Sequence, residues 1–415
     1  MNNWWENDFV TVKGNKLILA GLRADDLAAR FGTPLYVYGK DAVRTRYRFL
    51  DGLLAARAPV AHWICYAMKA NPHPGLLGVL RRCGARIDAV SPNEVDAALA
   101  AGFPPERILY TGTSVSGDDL ERVLALDGLT VNIDAAEQLD LMAAVRRRVC
   151  PKRRVRVSVR WNPGVGRGFN PRVVTAGARS SDGTPIKFGV EERKVVPVFE
   201  RARALGFEPV GLHHHLGSGW VREDFPAACE AAGKIVRKAG ALEDLGHRLE
   251  FIDFGGGFGP RYTRDQGLFP VERYVSRVCR TVAGARLGLG AIAFEPGKFL
   301  VGEAGAVLLR VEYVKESYGN LFACVNGGTY NTVPRPAIYP QAFHEVVNAS
   351  RVRGTPRARL TVAGNLCETG DVFGRDRLLP VPRTGEVLAV LLAGAYCRSM
   401  ASTFNLRDIP REILV

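Results

Sequence analysis

The feature that most constrains the fold is an alternation of short apolar segments with helical segments between Gly39 and Phe299. Eight apolar segments have the length and composition of strands buried in a parallel sheet. The helical stretches between them carry capping signals, such as the run Ser91-Pro92-Asn93-Glu94. Eight βα units in about 260 residues match a closed (β/α)8 TIM-like barrel. The eight predicted strands are His62–Ala67, Arg86–Val90, Ile108–Gly112, Leu129–Ile133, Val155–Trp161, Pro209–His215, Leu249–Phe254 and Ala291–Glu295.

After Phe299 the pattern changes to strands without long helices between them. Ala342–Ser350 is predicted as one short helix, and Val10–Leu19, before the barrel, has the character of a strand. The sequence therefore predicts an α/β chain in three parts. A barrel spans residues 39–299, a mostly antiparallel β domain spans 300–415, and the N-terminal segment, 1–38, completes that β domain. The predicted C-terminal strands are Ala306–Lys315, Leu321–Val325, Ala358–Ala363 and Glu386–Leu392.

The composition of the chain limits the classes of partner that it is expected to bind. Lys and Arg number 56 against 42 Asp and Glu, a net charge of +14. The densest basic stretch, Arg146–Arg156, has no interleaved aromatic residues, so we interpret it as solvated surface and expect no nucleic-acid partner. No apolar run approaches the ~18 residues of a membrane span, and we expect no membrane partner. The first ten residues lack the pattern of a secretory signal, and the eight cysteines include no CxxC pair, so we expect reduced thiols in the cytoplasm.

Residues at the ends of the predicted strands carry the chemistry, because active sites of such barrels form there. Lys69 follows the first strand. A desolvated lysine can form a Schiff base with a carbonyl group, although a lysine that reaches solvent would also fit this position. His213 and His215 follow the sixth strand and share one face. They could form a metal pair, but no third ligand is evident nearby, so we expect no metal and favour an imidazole stacked on a flat cofactor.

Glycine-rich turns follow the sixth, seventh and eighth strands. Phosphate sites in these barrels are frequently built by the loops after strands seven and eight, where backbone amides approach an anion closely. Together with Lys69 and His215, these turns predict a phosphorylated, flat, carbonyl-bearing cofactor, pyridoxal 5′-phosphate. The residues concerned are Ser218 beside Gly217 and Gly219, then Gly255, Gly256 and Gly257, and finally Glu295, Gly297 and Lys298.

Six motifs in order give the chain a resemblance to the fold-type III pyridoxal-phosphate-dependent decarboxylases, and among them to the diaminopimelate decarboxylases. The resemblance runs from about Gly32 to Asn405. The motifs are Tyr66-Ala67-Met68-Lys69-Ala70-Asn71, His215-Leu216-Gly217-Ser218, Gly255-Gly256-Gly257, Glu295-Pro296-Gly297, Cys367-Glu368-Thr369-Gly370-Asp371 and Gly394-Ala395-Tyr396.

The resemblance implies a role for each motif. Lys69 would hold the cofactor covalently, His215 would stack on its ring, and Glu295 would pair with the pyridine nitrogen. Cys367 would donate a proton from the partner subunit, which implies a homodimer with shared active sites. The implied catalytic residues are Lys69, His215 and Cys367. Further cofactor contacts would come from Ser218, Gly255, Gly256, Gly257, Gly297, Lys298 and Tyr396, and substrate contacts from Lys298, Arg335, Tyr339, Glu368 and Tyr396.

The implied activity is decarboxylation of an amino acid, with meso-2,6-diaminopimelate giving L-lysine. Glu295 favours decarboxylation over racemisation, because an anion beside the pyridine nitrogen keeps that nitrogen protonated. Lys298 stands where the family usually has Arg, and the Gly164–Lys187 segment is long and rich in glycine. These departures leave open a related decarboxylase for another amino acid or a carrier-bound substrate, as in siderophore or antibiotic pathways. A non-catalytic cofactor-binding protein would lack the β domain and the Cys367 motif.

Three of these residues also have purely structural interpretations. Cys367 could be a buried cysteine that packs as a small apolar group. Tyr396 could be an ordinary core tyrosine, and Arg335, between two prolines, could belong to a rigid surface loop.

Overall fold

The computed structural model describes residues 3–415. They divide into two compact units. The barrel unit comprises Tyr47–Gly259 and Gly267–Gly297, and the β unit comprises the chain up to Arg46, Pro260–Gln266 and Lys298–Val415. Among the described residues, no helix combines the length and apolar character that a bilayer crossing requires.

The β unit begins with a three-stranded antiparallel sheet in the order β1-β2-β3. Gly14 and Asn15 link β1 to β2 with φ values of 54° and 65°. Left-handed backbone at both positions is what a two-residue hairpin turn needs, and glycine and asparagine adopt it most easily. Helix α1 and strand β4 follow. These elements are β1 (Val10–Lys13), β2 (Lys16–Leu19), β3 (Leu22–Arg23), α1 (Ala24–Phe31) and β4 (Leu35–Tyr38).

The predicted barrel is confirmed. Eight parallel strands close on themselves, with the last paired to the first. Each lies within one of the eight predicted segments or extends it by one residue. A buried apolar cluster draws side chains from five of the strands: Cys65, Leu109, Val210, Phe251, Ala291 and Ala293. The strands are β5 (Ala61–Ala67), β6 (Arg86–Ala89), β7 (Ile108–Tyr110), β8 (Thr130–Ile133), β9 (Arg156–Arg160), β10 (Glu208–His213), β11 (Phe251–Asp253) and β12 (Ala291–Phe294).

Helices alternate with these strands, as the sequence predicted. The Ser91 hydroxyl accepts a hydrogen bond from the N–H of Glu94 at 3.2 Å, and Glu94 Oε2 accepts from the N–H of Val90 at 2.8 Å. This capping explains where α4 begins. The helices are α2 (Lys40–Arg57), α3 (Pro74–Cys83), α4 (Pro92–Ala100), α5 (Gly117–Leu124), α6 (Ala136–Val149), α7 (Val195–Ala204), α8 (Phe225–Asp244) and α9 (Val271–Ala285), with 3₁₀ turns at Met68–Ala70, Pro105–Arg107, Pro171–Val173, Glu192–Lys194 and Arg222–Asp224.

The large sheet of the β unit has the strand order β15-β18-β13-β14-β16-β17, and β4 pairs with β13 and β19. Most pairs are antiparallel, as predicted, but β14–β16 and β4–β19 are parallel. The elements are α10 (Lys298–Val301), β13 (Gly305–Ser317), β14 (Asn320–Val325), α11 (Arg335–Ile338), β15 (Val346–Asn348), β16 (Arg357–Ala363), β17 (Val372–Pro380), β18 (Val387–Val390) and β19 (Arg411–Leu414), with 3₁₀ turns at Gly302–Ala304, Arg398–Met400 and Phe404–Leu406.

The predicted helix over Ala342–Ser350 is wrong. Its centre forms β15, antiparallel to β18 with Val346 opposite Val390. Val346 and its neighbour Val347 are β-branched and buried, which favours a strand. The Asn348 side chain then accepts hydrogen bonds from the backbone of the next turn and ends the strand.

The N-terminal segment belongs to the β unit, and β4 is the strand that joins it to the large sheet. Val10–Leu19 forms two strands of the small sheet. It is β4 that pairs with β13, with Tyr38 opposite Gly305. All four residues of β4 are buried, whereas β1 is half-exposed. A fully apolar strand such as β4 suits a position inside the sheet, where both of its faces are covered.

Candidate active site

Lys69 lies in the 3₁₀ turn directly after β5, where the sequence predicted it. Its ammonium group forms an ion pair with the carboxylate of Asp88, whose side chain is fully buried. Asp88 lies in β6 opposite Ala67, so the parallel register brings this carboxylate to the lysine that follows β5. Asp88 was not among the site residues predicted from the sequence. A carboxylate between Ile87 and Ala89 in an apolar strand was a usable signal, because such a charge is costly to bury alone.

Three neighbouring strand ends bring together His213, Asp253 and Glu295. His213 ends β10, Asp253 ends β11, and Glu295 directly follows β12. His213 Nε2 lies 3.1 Å from Glu295 Oε2, and both side chains are buried. One nitrogen or oxygen of each of the three residues lies within 4.8 Å of the others. His213 and His215 were predicted to share one face, whereas the structure pairs His213 with Glu295.

The carboxylates of this region differ in the direction of their pKa shifts. Burial raises the pKa of Asp88, and it raises the pKa of Asp253 well above its usual range; the charge of Glu295 adds to both shifts. Burial also acts to raise the pKa of Glu295, but His213 and Lys69 outweigh it and lower this pKa to about 2. Glu295 is therefore the ionised carboxylate of the cluster.

His215 lies in the loop after β10. Its Nδ1 accepts a hydrogen bond from the N–H of Gly217 at 3.1 Å, and Thr175 Oγ1 lies 2.9 Å from the same nitrogen. Burial lowers the pKa of His215 well below its usual range, so the imidazole is neutral. Because Nδ1 accepts from a backbone N–H, the ring proton lies on Nε2. Thr175 belongs to the Gly164–Lys187 segment, for which the sequence predicted no contact with the site.

The glycine run after β11 passes close to other parts of the barrel unit. A Cβ at Gly256 would collide with the carbonyl oxygen of Glu295. Gly257 has a φ of 116°, and a Cβ there would collide with the ring of Trp220. Both positions therefore require glycine, because the run packs directly against Glu295 and Trp220.

Gly297 and Ser218 lie in two further loops of the barrel unit. A Cβ at Gly297 would lie 3.1 Å from the Cβ of Ala70, the residue after Lys69. The loops after β5 and β12 therefore meet at this point. The carbonyl oxygen of Ser218 accepts a hydrogen bond from the N–H of Phe169, so the glycine-rich segment also supports the Ser218 loop.

Within the β unit, Lys298 and Tyr396 come together. The Lys298 ammonium group lies 5.2 Å from the centroid of the Tyr396 ring, within the range of a cation–π contact. Burial, followed by the charge of Arg335, lowers the pKa of Lys298 well below its usual range. An anion would stabilise the charged form of such a buried lysine.

Arg335 is almost fully buried in the β unit, not on a surface loop. Its Nη1 lies 3.0 Å from Nε2 of His344, and its guanidinium group lies 4.4 Å from the centre of the Tyr262 ring. His344 Nδ1 donates to the carbonyl oxygen of Leu391 at 2.9 Å, which leaves Nε2 free to accept from the arginine. Tyr339 follows α11, and its N–H donates to the carbonyl oxygen of Arg335.

Cys367 and Glu368 lie on an exposed loop of the β unit. The N–H of Cys367 donates to Oδ1 of Asn405 at 3.0 Å, and Nδ2 of Asn405 lies 3.1 Å from the sulfur. Buried Asp371 accepts from the N–H of Leu366 at 2.7 Å and so anchors the loop. The interpretation of Cys367 as a buried structural cysteine is wrong.

Similarity to known proteins identifies the family of this chain. Residues 43–302 match the family model described as the pyridoxal binding domain of pyridoxal-dependent decarboxylases. The chain belongs to this family. It is 40% identical to the diaminopimelate decarboxylase of Methanothermobacter thermautotrophicus over 98% of this chain and 92% of that protein. It is 31% identical to the Aquifex aeolicus diaminopimelate decarboxylase over 99% of this chain and 93% of that one.

A solved structure of the family is also similar. The crystal structure of diaminopimelate decarboxylase from Helicobacter pylori complexed with L-lysine has a TM-score of 0.85 and 29% identity to this chain. The match covers 94% of this chain and 93% of that one. The similarity therefore extends over both the barrel unit and the β unit.

The residues of the barrel unit fit pyridoxal phosphate, the cofactor of this decarboxylase family. Glu295 Oε1 is buried and has no hydrogen-bond partner among residues 3–415, so it can accept from the N–H of a protonated pyridine ring. Lys69 supplies an amine for the carbonyl group. The Gly255–Gly257 run, which has no Cβ atoms and passes beside Glu295 and Trp220, supplies the glycine backbone that phosphate-binding turns use.

Proposed function

We propose that this enzyme decarboxylates meso-2,6-diaminopimelate to L-lysine with pyridoxal phosphate. The observation that carries the choice of substrate is the buried guanidinium group of Arg335, held between His344 and Tyr262. A fixed arginine of this kind is suited to a carboxylate that it can bind through two parallel hydrogen bonds. The relatives named diaminopimelate decarboxylase, at up to 40% identity here, support the same substrate.

In this proposal the barrel unit holds the cofactor. Lys69 would bind its carbonyl carbon, His215 would stack on its ring, and Glu295 would pair with the pyridine nitrogen. When bound, the cofactor supplies an electron sink for the carbanion left by loss of CO2. The phosphate would contact Ser218, Gly255, Gly256, Gly257, Gly297, Lys298 and Tyr396.

Asp88, which pairs with Lys69, can act as the acceptor for the lysine proton. The amine must be deprotonated before it can attack a carbonyl carbon. Burial and the charge of Glu295 raise the pKa of Asp88, which makes its carboxylate a better proton acceptor than an exposed aspartate. We therefore propose that Asp88 would hold the Nζ proton while Lys69 is bonded to the cofactor, whose carbonyl oxygen would leave as water, and would return that proton to Nζ when the substrate amine takes the place of Lys69.

The β unit supplies the substrate contacts. Arg335 and Tyr339 would bind the distal carboxylate, Glu368 would bind the ammonium group beside it, and Lys298 would add positive charge. With an anion bound beside it, Lys298 would carry the charge of the usual arginine without its two-pronged geometry. Ornithine has no distal carboxylate and would leave the Arg335 guanidinium without that partner. The penalty for such a buried group is about 1–3 kcal/mol, or about ten- to hundredfold in selectivity.

A panel assay of CO2 release tests the substrate. We expect meso-diaminopimelate to be preferred over lysine, ornithine and arginine, and Arg335→Ala to lose most of that preference. Exposed Arg353 offers a matched control, and Arg353→Ala should leave the preference unchanged. If lysine or ornithine turns over as well as diaminopimelate in the wild type, the substrate proposal is wrong. Preference for another amino acid or a carrier-bound substrate would fit the presence of Lys298.

We further propose a homodimer in which each Cys367 donates its proton at the partner's site. The exposure of Cys367 and Glu368 supports this arrangement, because a donor supplied to another subunit must be accessible on its own. We also propose a cytoplasmic location. All eight cysteines are free thiols, which is typical of a reducing compartment.

A further inference from the structure

A buried histidine that the proposed mechanism does not use lies beside Glu295. His213 ends β10, is fully buried, and places Nε2 3.1 Å from Glu295 Oε2. His215, two residues later, has other partners in Thr175 and Gly217. Glu295 is the residue proposed to face the pyridine nitrogen. A group that fixes the position of the Glu295 carboxylate therefore also affects the contact between Glu295 and the pyridine nitrogen.

The two oxygens of Glu295 have different surroundings. Oε2 contacts His213, whereas Oε1 is buried and lacks a hydrogen-bond partner within residues 3–415. Buried polar atoms are nearly always hydrogen-bonded in folded proteins. Glu295 Oε1 lacks a partner although Oε2 has one, which indicates a ligand that donates a hydrogen bond to Oε1. The N–H of a protonated pyridine ring is such a donor.

The charge of Glu295 decides which of the two side chains donates the hydrogen bond between His213 and Glu295. His213 and Lys69 overcome the effect of burial and lower the pKa of Glu295 to about 2, so its oxygens accept hydrogen bonds. Nε2 of His213 therefore carries the proton and donates it. A metal bound through Nε2 would need the lone pair of the same nitrogen.

Other charged and titratable groups surround the pair, and each bears on its protonation. Asp253 lies on the next strand, where burial raises its pKa well above the usual range and disfavours its charge. Lys69, in the turn after β5, pairs with Asp88 of β6, whose pKa burial also raises. Electrostatic effects also link Glu295 to His215, His214 and Arg160. His213 is the group that both touches the carboxylate and donates to it.

We propose that His213 is a positioning residue for the cofactor. Its Nε2–H holds Glu295 Oε2, so that Oε1 stays ionised and aimed at the pyridine nitrogen. His213 itself acts only through Glu295. The inference rests on pyridoxal phosphate binding in the barrel unit, and it is independent of which amino acid is the substrate.

Two amide substitutions of His213 make a matched pair for the test. The amide nitrogen of glutamine reaches about the position of Nε2, whereas that of asparagine stops at about the position of Nδ1. Each variant is loaded with pyridoxal phosphate labelled with ¹⁵N in the ring, and the ring ¹⁵N shift is followed against pH. His213→Gln should match the wild type. In His213→Asn the ring nitrogen should lose its proton about one pH unit lower or more, and the cofactor should bind about tenfold more weakly.

The direction follows from the charge of Glu295. An anion beside the ring nitrogen raises the pKa of that nitrogen, and a displaced or protonated Glu295 removes this effect. His214 is the control, because it is equally buried and neither of its ring nitrogens has a hydrogen-bond partner in the described chain. His214→Gln should leave the ¹⁵N titration unchanged. If it shifts the titration as His213→Asn does, general packing is the cause and the proposal is overturned.

Two further outcomes decide against the proposal. One is an unchanged titration in His213→Asn. The other is a stoichiometric metal ion whose removal from the wild type reproduces the asparagine effect. If His213→Asn does not fold, ring ¹⁵N spectra of the histidine-labelled wild-type holoenzyme settle the point: a protonated Nε2 on His213 supports the proposal and an unprotonated one overturns it. Failure of the wild type to bind the cofactor would instead contradict the proposed function.

Discussion

At the scale of single residues, His344 is a side chain whose tautomer is set by the fold. The carbonyl oxygen of Leu391 takes the proton of Nδ1, so Nε2 accepts from Arg335. We expect His344→Leu to raise the KM for diaminopimelate about tenfold or more and to lower kcat less, because a hydrogen bond to a charged group contributes about 1.5–3 kcal/mol. Steady-state kinetics measure both constants. His62→Leu is the control, since His62 pairs with Asp51 in the barrel unit. An unchanged KM in His344→Leu would show that Arg335 does not need this partner.

At the scale of elements, the segment between β9 and α7 supports the loop that carries His215. Thr175 Oγ1 contacts both Nδ1 and the carbonyl oxygen of His215, at 2.9 and 3.0 Å. Thr175→Val keeps the shape of the side chain and removes the hydroxyl. We expect it to weaken pyridoxal phosphate binding about fivefold, the equivalent of about 1 kcal/mol for one hydrogen bond, in a fluorescence titration of the apoprotein. Thr184→Val, on an exposed part of the same segment, should bind the cofactor normally. Equal affinities for wild type and Thr175→Val would mean that the segment does not position His215.

At the scale of the whole molecule, the proposed homodimer predicts complementation between two inactive variants. In a mixed dimer of Lys69→Ala and Cys367→Ala chains, sites built from both subunits would give one site with both defects and one with neither. Random mixing should therefore restore about a quarter of wild-type activity, because half of the dimers are mixed and each has one intact site. Mixing Lys69→Ala with the Lys69→Ala/Cys367→Ala double variant should restore none. Sites built within one chain would also give no recovery, so the absence of activity after verified subunit exchange would exclude the shared arrangement.

The sequence by itself determined the barrel and the positions of its chemistry. Strand and helix periodicity are local properties, so eight βα units could be counted without knowing any contact. In a parallel barrel the carboxyl ends of all strands lie on one face, which is why Lys69, Glu295 and the Gly255–Gly257 run could be assigned to one site. The same locality explains the error over Ala342–Ser350. That segment is too short for its pattern of apolar residues to distinguish a helix from a strand, and pairing with β18 made its centre a strand.

Only the tertiary structure decided which side chain meets which. Asp88 pairs with Lys69 across 19 residues of sequence, Thr175 meets His215 across 40, and His213 meets Glu295 across 82. These partners come from strand register and from the path of long loops, and neither is encoded in the residues immediately around a motif. The charge of Glu295 was also a tertiary result. Burial alone would raise the pKa of this carboxylate, and the histidine and lysine that lower it reach Glu295 only when the barrel closes.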